Sequence, residues 1–193
     1  MRYECEQVEL KRKDDGKNLY LTKFWCPASW QDKNILMVHG LTYTQHVFDM
    51  KYKDYSVCEY FAKNGYTVWR LDLSGYGQSD KYDDGWVVTT QHAAEDEIYA
   101  LEKICELQGV EKCDLLGWSW GTMTTSKVAT QRPELLHKVV WLGPCFGGAF
   151  DPVPMTEPFS QLNYGYVIRV WQHVPGTNDL VTDFDTVEPE LHG

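Results

Sequence analysis

The sequence predicts an α/β fold, a mostly parallel sheet with helices on both faces, left incomplete by this chain. Three observations predict it. Short, wholly apolar runs closed by glycine or polar turns alternate with longer stretches in which apolar residues recur every three or four positions. That alternation of β and α units is what a parallel sheet with crossover helices requires. The pattern also stops early: after Gly143-Pro144 it dissolves into the loop chemistry of Gly147-Gly148 and Pro152-Val153-Pro154.

The elements follow in order. Tyr3 to Leu10 and Leu19 to Trp25 are β-rich runs separated by Asp14-Asp15-Gly16-Lys17-Asn18, an opening antiparallel hairpin. Ile35-Leu36-Met37-Val38 is apolar throughout and ends at His39-Gly40, as a strand buried on both faces does. Tyr55 to Lys63 reads as a helix with Val57, Tyr60 and Phe61 on its inner side, feeding a strand from Thr67 to Leu73. From Thr90 to Leu107 the spacing places Ala94, Ile98, Leu101 and Ile104 on one helical face and turns Glu95, Glu97, Glu102 and Glu106 largely away. Asp114 to Trp118 is a further strand, then a helix runs to about Thr130, stopped near Pro133, and Lys138 to Leu142 is the last strand.

Composition bounds the function. With 193 residues, 43% hydrophobic and 14% aromatic, the chain suits one ordinary soluble globular core. A net charge of −10 repels phosphate backbones and anionic lipid, so the reading excludes nucleic-acid and membrane partners and favours a neutral or apolar small-molecule substrate. The charged N-terminus lacks a secretory apolar region and no stretch reaches the length of a membrane span. Cys5, Cys26, Cys58, Cys105, Cys113 and Cys145 are scattered without a Cys-x-x-Cys pair, which predicts reduced, buried thiols in a cytoplasmic protein and neither a metal site nor a cofactor.

The chemistry sits in Gly117-Trp118-Ser119-Trp120-Gly121, a G-x-S-x-G pattern between a strand and a helix. A sharp strand-to-helix turn lifts a serine hydroxyl clear of the sheet, and flanking glycines let neighbouring backbone approach without a Cβ clash. The bare pattern is common, and a small-residue turn with an exposed serine is its bland reading. The strand before it, the helix after it and His39-Gly40 closing an upstream buried strand supply the context. A dinucleotide site at Gly75-x-Gly77 fails because Asp80 stands where the fingerprint needs glycine.

Four segments in this order resemble the α/β-hydrolase superfamily, specifically its cap-bearing esterase, peptidase and C–C hydrolase branch. They are His39-Gly40-Leu41, Asp72-Leu73-Ser74-Gly75-Tyr76-Gly77-Gln78-Ser79, the elbow at Ser119, and Ala129 to Pro133 leading into Val139-Val140-Trp141-Leu142. The resemblance implies that Ser119 attacks a carbonyl carbon. It also implies that the backbone N–H groups of Leu41 and Trp120 hold the resulting oxyanion, each worth about 3 kcal/mol. An acyl-enzyme would follow. His39, Gly40, Gly117 and Gly121 would support the site, with His39, Asp72 and Ser74 bracing loops rather than acting as base.

Serine needs a histidine base oriented by a carboxylate. In the family these follow later strands, in the order Ser, Asp or Glu, His, and no acid or base is assigned in this chain. His137 precedes a strand, His173 lies in the tail and His192 beside the terminus; Asp151, Asp179, Asp183 and Asp185 follow no strand. By resemblance the chain covers roughly the first two-thirds of the family's length. The expected division is a core over 1–149 and the beginning of a cap over 150–193, where Phe159, Tyr164, Tyr166 and Trp171 could line an apolar entrance or pack the cap itself. A second polypeptide, from a split or nicked chain, is expected to supply the last strands with the Asp and His. The rival readings are a ligand receptor on the same scaffold and an acyltransferase.

Overall fold

A computed structural model describes residues 1–145 and 157–158. The expected boundary at 149/150 and nearly all of the expected cap lie outside the described residues. Six strands and three helices alternate as the sequence predicts: β1 (Glu4–Lys11), β2 (Asn18–Trp25), β3 (Lys33–Val38), α1 (Val57–Lys63), β4 (Tyr66–Asp72), α2 (Thr90–Gln108), β5 (Cys113–Trp118), α3 (Trp120–Gln131) and β6 (Leu136–Leu142).

The strands form one sheet in the order β1-β2-β4-β3-β5-β6. β1 pairs antiparallel with β2, β2 antiparallel with β4, and the remaining neighbours are parallel. From β3 the chain crosses through α1 to β4 on one side, then through α2 to β5 on the other. The connections therefore diverge between β3 and β5, and in open α/β sheets the crevice outside the carboxyl ends of such a strand pair is where ligands bind. His39-Gly40 and Ser119 stand at those two ends.

Apolar strands are explained by a core on each face. Ile35 and Met37 join Phe24, Val68, Leu116 and the Cys58 and Ala62 side chains of α1. Leu36 and Val38 point the other way, among Trp69, Leu71, Leu115, the Ala93, Ala100, Leu101 and Ile104 side chains of α2, and Val128 of α3. Because side chains alternate across a strand, both faces need apolar residues and the run becomes continuous.

Local signals fix the helix ends. Ser56 caps α1 by accepting from the Glu59 amide at 3.1 Å, Thr89 caps α2 through the His92 amide at 3.2 Å, and Gly109 closes α2 in the left-handed conformation at φ 64°. Two helical faces differ from the sequence expectation. α1 starts two residues later and turns Cys58 and Ala62 inward, with Val57 and Phe61 only partly buried and Tyr60 65% exposed. On α2, Glu97 is not turned away but fully buried, as is Asp96: a helix covering both a sheet and a neighbouring helix buries a wider arc than its apolar stripe. The cysteine expectation also needs correction. Cys26, Cys58 and Cys113 are buried, Cys105 and Cys145 are half-buried, and Cys5 is exposed.

Candidate active site

β5 ends at Trp118 and α3 begins at Trp120, so the whole reversal falls on Ser119, at φ 54°, ψ −121°. A non-glycine residue at positive φ costs on the order of 1–3 kcal/mol and persists only when its surroundings enforce it. Here they do. The Ser119 N–H donates to Leu142 O at 2.9 Å, and Ser119 O accepts from the Thr122 amide at 2.9 Å and the Thr122 hydroxyl at 2.6 Å. The glycines permit the approach: a Cβ on Gly117 would lie 2.3 Å from Gly121 O, and one on Gly121 would lie 2.7 Å from Val38 O. Gly40 seats β3's end against the elbow, since a Cβ there would come within 3.0 Å of Ser119 Cβ.

The result is a half-buried serine at the first turn of a twelve-residue helix. As the first residue of α3, Trp120 has an N–H with no intrahelical acceptor, directed with the positive end of the helix. Leu41 follows Gly40 in an exposed turn whose next residue, Thr42, has φ 73°.

His39 is committed elsewhere. Its ring is fully buried, Nδ1 lies 2.8 Å from Gly40 O, and Nε2 accepts from the Leu73 N–H at 3.2 Å. An acceptor at Nε2 places the ring proton on Nδ1, donated to Gly40 O, and burial pushes the imidazole pKa down. The ring therefore ties the loop after β3 to the loop after β4. Asp72 accepts from the Gln45 and Gln78 amides at 2.8 and 2.9 Å, and the Ser74 N–H and hydroxyl both donate to Asp96 at 2.8 and 3.1 Å.

Aromatic rings surround the elbow. The Tyr43 ring packs 4.7 Å from that of Trp118, and Tyr76 lies 5.0 Å from His39 and 5.9 Å from Trp120. Sequence reasoning did not find Tyr43 as part of this wall. The available signal was its place two residues beyond Leu41, in the loop that closes β3.

Among the described residues no histidine bonds the Ser119 hydroxyl. His46 is exposed within the short 3-10 turn Gln45–Phe48 before α1, and His92 faces the Tyr82 ring. His137 lies within β6 rather than before it, and its Nδ1 is 3.0 Å from Asp114 Oδ1. This His–Asp pair occupies the amino end of the sheet, five residues of extended chain or about 16 Å from Ser119. His173, His192, Asp151, Asp179, Asp183, Asp185 and the aromatic residues Phe159, Tyr164, Tyr166 and Trp171 lie outside the described residues. Among the described residues no cluster of three His, Cys, Asp or Glu side chains could hold a metal ion, and no helix is long and apolar enough to cross a membrane.

Comparison with known proteins places this geometry. The family model described as "alpha/beta hydrolase fold" matches residues 33–179. A 2-hydroxy-6-oxononadienedioate/2-hydroxy-6-oxononatrienedioate hydrolase of Paraburkholderia phymatum is 31% identical over 133 residues, which cover 68% of this chain and 44% of the relative. An epoxide hydrolase 3 of Siraitia grosvenorii is 29% identical over 100 residues, 52% of this chain and 30% of the relative. The structure of potato (Solanum tuberosum) epoxide hydrolase I aligns at a TM-score of 0.60 with 22% identity, over 79% of this chain and 43% of that one, a likeness of fold. The chain thus spans less than half the length of the curated relatives it matches.

Proposed function

Since the chain belongs to the alpha/beta hydrolase fold family, we propose that it is the nucleophile-bearing part of a serine hydrolase. Its substrate is an ester, thioester or amide with an apolar or aromatic portion. The observation that carries this reading is the enforced, half-exposed turn at Ser119 between β5 and α3. Ser119 Oγ attacks the carbonyl carbon as its proton passes to a histidine. The N–H groups of Leu41 and Trp120 receive the oxyanion, the leaving group departs with the proton, and water then cleaves the acyl-enzyme. The oxo-acids for which such relatives are named carry a carbonyl of the kind a serine nucleophile addresses.

The Asp and His, with any strands beyond β6, lie outside the described residues of this chain. The hydrolase core spans 1–149 and a cap segment begins at 150, and the Tyr43, Trp118 and Trp120 rings form the wall that meets an aromatic group. Free thiols fit a reducing cytoplasm.

The test is covalent labelling of the complete protein with an aryl fluorophosphonate. Labelling that disappears in Ser119→Ala, together with a loss of hydrolysis of at least about 10³-fold, is the expected outcome. A complete protein that binds ligand yet neither labels nor turns over is a receptor on this scaffold.

A further inference from the structure

The helix α2 and the strand β5 that carries Ser119 at its far end are joined by a four-residue connection, 109–112. Gly109 and Val110 both direct their amides to Cys105 O, the latter at 3.1 Å. That cap folds the chain back so that the first residue of β5 returns beside the last turns of α2. Cys105 Sγ and Cys113 Sγ consequently lie 3.8 Å apart, in van der Waals contact and oriented so that one thiol can donate to the other. We propose that Cys105 and Cys113 are a dithiol pair that closes to a disulfide when the surrounding thiol pool becomes oxidising.

The other four cysteines do not share this arrangement. Cys26 and Cys58 belong to the core on the opposite face of the sheet, Cys5 lies exposed on β1, and Cys145 follows β6 with its sulfur near Gly143 O. The sheet itself separates the two buried thiols of one face from the pair on the other.

Exposure sets the order of events. Cys105 is half-buried whereas Cys113 is 1% exposed, so a small disulfide such as oxidised glutathione meets Cys105 first. The Cys105 sulfur attacks one glutathione sulfur, its proton leaves on the released glutathione thiol, and a mixed disulfide remains. The Cys113 sulfur then attacks Cys105 Sγ, expelling the second glutathione as a thiol with the second proton. Two electrons pass from the two cysteine sulfurs to the glutathione disulfide, and every atom is accounted for. Burial raises the pKa of both thiols, so closure is slow at neutral pH and quickens as the solution becomes alkaline.

Incubation of the native, purified full chain with oxidised glutathione, followed by quenching, alkylation under denaturing conditions and peptide mapping, tests the assignment. The expected result is a peptide linking Cys105 to Cys113, alkylation at Cys26, Cys58 and Cys145, and an exposed Cys5 that is either alkylated or carries glutathione. In Cys113→Ser the reaction should stop at a glutathione adduct on Cys105, and in Cys105→Ser Cys113 should stay unmodified. The same oxidation in denaturant should scramble the pairings, which makes selectivity in the native protein a property of the fold. Six alkylated cysteines after native oxidation, a wild-type chain halted at the mixed disulfide, or a linked peptide joining other cysteines would each overturn the proposal.

Discussion

The two edges of the sheet are finished in opposite ways. At one edge β1 presents Glu4, Glu6, Gln7, Glu9 and Lys11, charged and polar groups of the kind that discourage another strand from adding on. Behind it the hairpin is fastened by Arg12, whose guanidinium is buried between Asp14, Glu95 and Asp96 and donates to His92 O at 3.1 Å. At the other edge β6 presents Val140, Trp141 and Leu142, 46%, 44% and 55% exposed. Successive residues alternate across a strand, so among the described residues apolar area is exposed on both faces of β6, although the Trp141 indole donates to Thr125 Oγ1 of α3 at 3.2 Å. One edge is adapted to water, and the other has the composition of a strand meant to be interior.

The largest expected effect breaks the finished edge. Asp96 is fully buried, and burial pushes its carboxyl pKa up even though Arg12 and the Ser74 amide favour the charged form. Arg12→Met would leave that carboxylate facing no cation, and removing one partner of a buried pair costs about 3–5 kcal/mol. Urea denaturation of the complete protein should show it. Because Asp96 also holds Ser74, the loop after β4 should loosen, read as faster amide exchange at Ser74. A loss below about 1 kcal/mol would mean that the hairpin is held by packing alone.

The second test concerns the unfinished edge. If strands from the rest of the protein pair with β6, Val140→Lys buries a charge on completion. It should then destabilise the assembled protein by more than about 2 kcal/mol. In the isolated chain the same substitution touches an exposed position and should stay within about 0.5 kcal/mol. Equal, small effects in both would show that β6 is a true edge.

What the sequence made legible follows the same division. Short apolar runs closed by turns, together with period-3.6 patterns, located the six strands and three helices of the described residues, because apolar burial on both faces leaves an unambiguous mark in Ile35 to Val38 or Leu115-Leu116. The elbow was legible because its glycines are sterically obligatory: Gly117 and Gly121 each face backbone oxygen at a distance no Cβ allows. Contacts between distant segments were not. Neither the wider buried arc of α2 nor Tyr43 against Trp118 nor Cys105 against Cys113 has a local pattern, since each depends on which neighbour the chain returns to. His137 shows the hazard from the other side: histidine and aspartate do meet, but at the amino end of the sheet, where Ser119 is out of reach.

Glu97 provides the smallest and sharpest test, because it sits one residue beyond Asp96 and faces the other way. Asp96 turns to the hairpin and finds Arg12; Glu97 turns to α3, where the nearby Thr124 hydroxyl already donates to Gly121 O at 3.0 Å. Neither Glu97 carboxyl oxygen has a hydrogen-bond partner among the described residues. Burial, opposed by the nearby Thr124 hydroxyl and reinforced by the Asp96 charge, holds this carboxyl well above its ordinary pKa. A folded-state pKa above the unfolded value means that its stabilising contribution is complete below the ordinary carboxylate range. That contribution is then lost as pH rises through the folded value. Glu97→Gln removes the titration while keeping the shape, and should gain about 1–2 kcal/mol at alkaline pH with almost no change in acid. Denaturation midpoints of the two proteins should therefore converge at low pH and separate as pH rises; parallel curves would place a partner on Glu97 and make the α3 side of α2 as fully satisfied as the hairpin side.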